Sequence, residues 1–163
     1  MNIFYLHNDP KKAVSYHYNR HVVKMPLEAA QMLCTAHHVL GEENDYDTSY
    51  VPYKKVHMNH PCSIWVRANA ENYMWTYEYM MELGREYSNR YGKTHKTIMT
   101  CRDLLYTLPK HISTDPFTQP PQCMPDEYKV PDDSVKAYWN YYIHDKKRII
   151  TKTETAYESI PAL

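Results

Sequence analysis

An all-α single domain that opens with a short extended segment is the fold this sequence predicts, and three observations carry the prediction. Tyr73, Tyr77, Met80, Gly84, Tyr87 and Tyr91 recur every three or four residues, the period of one helix face. Ile98, Cys101, Leu104, Leu105 and Leu108 repeat the pattern on a second segment, and Val135, Tyr138, Trp139 and Tyr142 on a third. Helix-start signals stand where such segments should begin: Asp9 followed by Pro10, and Asp132-Asp133-Ser134. At 163 residues and 19.5 kDa the chain is long enough to bury a core of its own and too short for two large domains.

Asn2 to Leu6 is a short apolar run, read as a strand or a buried extended segment, and a helix is expected from about 10 to 19. The next helical pattern runs from Arg20 to Leu40, where Gly41 supplies a stop, with Pro26 either kinking it or starting a new helix at Leu27. Residues 42–52 read as an acidic surface loop and 54–62 as a polar connector ended by Pro61. Helices follow at about 69–91 and 96–108. Six prolines from Pro109 to Pro131 predict an ordered wrap or a long irregular loop. A last helix is expected to about His144, and the tail 151–163, poor in apolar residues, is expected to be loosely held.

Composition excludes several classes of function. Nineteen Lys and Arg balance nineteen Asp and Glu, so any polyanion site must be local rather than a property of the whole surface. No run approaches the length of a membrane span and the start lacks signal-peptide character, which predicts a soluble cytoplasmic protein, in the host cytoplasm if the chain is viral. With only 3 Gly there is neither GxxxxGK[ST] nor GxGxxG, and no organic cofactor is expected. Cys34, Cys62, Cys101 and Cys123 form no CxxC pair and are expected to be reduced and mostly buried. Ten histidines include no HExxH, so no metal site is expected. The 17 tyrosines are spread along the chain, which favours core packing and loop anchoring over a localised platform for bases.

Three constellations could carry chemistry. His21, Lys24, Glu28 and Gln31 share one helix face if the helix continues through Pro26, so an imidazole, an amine and a carboxylate would converge among Val22, Val23, Met25, Leu27 and Met32. A satisfied buried network or a solvated face with one Lys-Glu pair would show the same spacing. His60, Trp65, Asn72 and Trp75 form a second group, in which the tryptophans either fill core or clamp a base. The third is the stretch from Arg85 to Arg102, with five Lys or Arg against one acid; Arg90, Lys93 and His95 suit phosphate contacts, or merely the favourable end of a helix dipole.

These elements, Asn2 to Leu6, His21 with Glu28, His60-Pro61, and Glu86 with Arg90 and Gly92, together resemble the small helical pyrimidine-dimer DNA glycosylases of the phage endonuclease V type. The resemblance covers roughly residues 1–96, and Asn19 to Leu33 is also similar to a motif of uncharacterised phage proteins. It implies a DNA glycosylase and abasic-site lyase in which the N-terminal α-amine attacks the sugar C1′, Glu28 is the catalytic acid, and a base is flipped out of a bent duplex. It further implies that His21, Lys24 and Gln31 contact the backbone or order that carboxylate. The sequence departs from the family pattern at its start, where bulky Asn2 favours retention of Met1, and in the arginines missing from the early helix, where Lys24 and Gln31 stand. A retained Met1 amine, or a Lys24 with its pKa lowered by burial, would then be the nucleophile. The expected partner is damaged or modified duplex DNA. The alternatives are a non-catalytic binder of nucleotides or of a host protein, acting in counter-defence, and an enzyme acting on free nucleotides.

Overall fold

A computed structural model describes all 163 residues. The chain is all-helical, as its periodicity predicts, with six α-helices and no strand. They are α1 (Pro10–Ser15), α2 (Asn19–Asn44), α3 (Pro61–Ala68), α4 (Ala70–Tyr91), α5 (Lys96–Leu105) and α6 (Ser134–His144), with short 3-10 turns at Asp126–Tyr128 and Lys146–Ile149.

Helix α2 is the hub, packing against α3, α4 and α5 while α1 lies against α4. It runs unbroken through buried Pro26 and continues past Gly41, which is no stop; left-handed Asp45 (φ 57°) ends it, its N–H donating to the Gly41 carbonyl. Helix α3 occupies a stretch in which Pro61 had only the look of a terminator. Pro61 instead takes the first helical position, where its missing N–H costs nothing, and the His60 ring caps the helix by accepting from the Cys62 N–H. Helix α4 matches its predicted span and stops at Gly92, whose φ of +69° is cheap only for glycine.

The segment Ile3 to Leu6 pairs with no strand and is not extended throughout, since it bends at Phe4, whose carbonyl accepts from the Leu6 N–H at 2.9 Å. It is buried inside the core among the helices, and Trp139 of α6 donates its indole N–H to the Leu6 carbonyl at 2.8 Å. The proline-rich segment 109–131 is an ordered wrap. Having no regular ladder of its own, it hangs on helix side chains: Asn72 exchanges bonds with Thr118, Ser134 donates to the Pro120 carbonyl, and Tyr138 donates to the Pro121 carbonyl. The tail makes more contact than its composition suggests. Glu154 accepts from the Asn19 N–H and the Tyr157 hydroxyl donates to the Tyr16 carbonyl, whereas Glu158 and Ser159 are exposed.

Helices α4 and α5 approach closely at Gly84, where a Cβ would lie 2.6 Å from Ile98 Cγ1 and 2.9 Å from its Cδ1. Overpacking of about 1–3 kcal/mol opposes a helix-propensity gain of about 1 kcal/mol. Gly84→Ala is therefore expected to lower the melting temperature by a few degrees, measured by calorimetry; a rise would show that Ile98 yields freely.

Candidate functional site

The buried segment Ile3 to Leu6 carries the chain's first residue onto the polar face of α2. Phe4 is the pivot: it has a left-handed φ of 55°, a conformation costing about 1–3 kcal/mol for a non-glycine residue. Its ring stacks on His21 with centroids 4.0 Å apart and an interplanar angle of 19°. With Phe4 so held, the Met1 α-amine lies 3.2 Å from Glu28 Oε1, and Lys24 Nζ lies 3.5 Å from Oε2. The Glu28 side chain is 11% exposed and that of Lys24 72%, so Glu28 and the amine form the inner part of the site and Lys24 its mouth.

These groups line a cavity of about 170 Å³ with Asn2, Phe4, His21, Met25, Tyr141 and Lys146. Lys146 enters from the turn after α6, its Nζ 4.6 Å from the Tyr141 ring centroid and 5.8 Å from that of Phe4. The cavity thus gathers the Met1 amine, Lys24 and Lys146 around one carboxylate, with Asp145 beside Lys146 at 3.4 Å. Local positive charge in a neutral protein suits an anionic ligand. The volume is below the about 300 Å³ of ordinary small-molecule pockets.

His21 is a wall of this cavity rather than a proton carrier. Its Nδ1 lies 2.6 Å from the Tyr142 hydroxyl, which also accepts from the Tyr18 N–H at 3.1 Å. Burial, with smaller contributions from His17, Lys146 and Lys24, pushes its pKa down to about 2. His17 behaves alike: Nδ1 donates to the Ala13 carbonyl, Nε2 accepts from the Tyr79 hydroxyl, and burial takes its pKa to about 3.

The other candidate residues separate. Gln31 is half-buried and outside the cavity, which ends one turn earlier where Met1 meets Glu28. His60 lies near this site: the Met1 amine lowers its pKa and Glu28 raises it, although burial, which lowers it, is the larger effect. Trp65 and Asn72 belong to the core that holds the wrap; the Trp65 indole and the Asn72 amide both donate to Thr118. Trp75 stacks on Tyr79 with centroids 5.3 Å apart and lines a separate cavity of about 710 Å³ with Tyr5, Phe117 and Gln119. Arg90 bonds Glu86, the His17 carbonyl and Asn19. His95 caps α5 and its Nε2 donates to the Val23 carbonyl at 2.9 Å, which ties the start of α5 to α2, while Lys93 is exposed.

Phe4, Tyr141 and Lys146 escaped sequence reasoning. The basic run from Lys146 was the one signal for them, and it reads equally well as a solvated tail. No family model, curated protein or solved structure matches this chain.

Two outcomes follow from the buried rings. His17, His21 and His37 have folded pKa values of about 3, 2 and 4, all lowered mainly by burial from an ordinary 6.5. The unfolded chain therefore binds more protons below pH 6.5, and each ring removes about 1.4 kcal/mol of stability per pH unit below that value until its folded pKa is reached. Denaturant midpoints should be flat above pH 7 and fall steeply from pH 6.5 to 5; a flat profile there would contradict the buried neutral rings. Tyr142→Phe strands the Tyr18 N–H and His21 Nδ1 and should cost about 1–3 kcal/mol in the same measurement.

Proposed function

We propose that this protein acts on damaged or abasic duplex DNA as a glycosylase and abasic-site lyase, with the Met1 α-amine as nucleophile and Glu28 as acid and base. The observation that carries the reading is the 3.2 Å approach of that amine to a buried carboxylate inside a cation-rimmed cavity. The similarity of its motifs to the pyrimidine-dimer glycosylases of the phage endonuclease V type supports the same roles. The nucleophile requires a mature chain whose first residue is Met1, and an intact mass that shows any other first residue would count against it.

In this mechanism the amine nitrogen bonds to the sugar C1′ as the C1′–base bond breaks, and the departing base leaves with a proton. Glu28 takes the two protons that the ammonium loses in turn, passing the first to the departing base and returning the second to the ring oxygen as the sugar opens to a protonated imine. It then removes a C2′ proton so that the 3′ phosphate leaves by elimination, and water releases the amine. Lys24 at the mouth and Lys146 in the wall would neutralise the phosphates flanking the opened sugar. The target nucleotide must leave the stack to reach so small a cavity.

Borohydride should trap the chain covalently on duplex containing an abasic site or a pyrimidine dimer. Glu28→Gln is expected to keep duplex binding and lower strand cleavage by about 10²–10⁴-fold. Because the change also removes the partner of a buried amine, a second variant with one glycine added before Met1 tests the nucleophile separately and should abolish trapping. Absence of trapping together with absent or salt-insensitive duplex binding would sink the proposal.

The larger cavity favours a second reading, a binder of nucleotides or bases, since Tyr5, Trp75 and Phe117 offer stacking faces there. On that reading nucleotides raise the melting temperature of the protein and Trp75→Ala removes the effect. A flat response across a nucleotide panel would count against it.

A further inference from the structure

We propose that His60, Cys62 and Cys123 form a binding site for one thiophilic divalent cation, with zinc as the physiological candidate. Cys62 and Cys123 are 61 positions apart in the chain, yet one ligand atom from each of the three residues lies within 4.8 Å of the others. The two Sγ atoms are 3.6 Å apart. Two thiolates held at about 2.3 Å from one tetrahedral ion stand about 3.8 Å apart, so the sulfurs already have the spacing of a shared metal. A disulfide would require closure to about 2.05 Å.

The surroundings hold these ligands in place. His60 and Cys62 are fixed by the first turn of α3, where the His60 Nδ1 accepts from the Cys62 N–H at 3.1 Å, while Nε2 has no protein partner. Cys123 comes from the wrap; its carbonyl accepts from Asn2 Nδ2 at 2.9 Å, and its N–H donates to the Tyr138 hydroxyl at 3.3 Å. Cys62 is fully buried whereas His60 and Cys123 are half-buried, so an ion can enter from solvent and keep one position for water. Two sulfurs and one imidazole select zinc or cadmium over magnesium and calcium. Each Cys loses its thiol proton to solvent as its bond to the metal forms, and the two thiolates cancel the charge of the ion.

The site rests on its own geometry and is independent of the glycosylase reading. Full-length protein, reduced and freed of metal by chelation, would be titrated with zinc alone and with cadmium alone. The expected result is one ion per chain by native mass spectrometry, a cadmium–thiolate charge-transfer band in the ultraviolet, and a higher melting temperature with zinc. Cys123→Ser, at a half-buried position that accepts serine, should weaken binding more than about 100-fold, beyond the loss typical of outer partners, and His60→Ala should weaken it as well. The double variant Cys34→Ser/Cys101→Ser, which alters the two remaining cysteines, should bind as the parent does. No cadmium band and no bound zinc in the reduced protein overturns the site, and so does undiminished binding by Cys123→Ser. Untreated protein two hydrogens lighter that takes up no metal after reduction would identify the pair as a disulfide instead and equally overturn it.

Discussion

A buried carboxylate has to be paired, and Glu28 is paired with the start of the chain. Removing one partner of a buried ion pair costs about 3–5 kcal/mol, so the contact ties the path of residues 1–6 to the face of α2. The rest of the site follows from that path. Ile3 and Leu6 are fully buried, Trp139 fixes the Leu6 carbonyl, and Phe4 is forced into a left-handed turn that its stacking on His21 compensates. The ion pair at the first residue and the strained Phe4 three residues on hold the segment in a single position.

The same segment separates the two cavities. Met1, Asn2 and Phe4 face the small charged one, whereas Tyr5, His7 and Asn8 face the larger aromatic one. The division falls at Phe4, where the left-handed φ of 55° turns the chain from one side to the other. Charge gathers on one side of the segment and stacking surface on the other, which is why two different ligand chemistries can be argued for one small domain. The His60, Cys62 and Cys123 cluster lies close by, and the Met1 amine bears on all three residues.

Much of this was legible in the sequence. The long period of α4 and its terminal glycine gave the helix directly, and the spacing of His21, Lys24 and Glu28 placed three of the four polar residues in one cavity, because Pro26 did not interrupt α2. What stayed hidden depended on contacts between distant segments. Helix α3 is too short for a periodic signal and is capped by a histidine, an uncommon cap. Trp65 and Asn72 looked like ligand-binding residues because the wrap they secure, around Thr118, is 46 or more positions away. Cys62 and Cys123 met no spacing rule for a metal, since one ligand arrives on irregular backbone.

The proline-rich wrap has a consequence for assembly. Its anchors are side chains of α3, α4 and α6, so its docking surface exists only after those helices have come together. Helical contacts close quickly over short separations, whereas the bond from Asn2 to Cys123 spans 121 residues. The wrap is therefore a late-forming clasp, laid across a preassembled bundle, and its release is a local opening that leaves the helices beneath it folded.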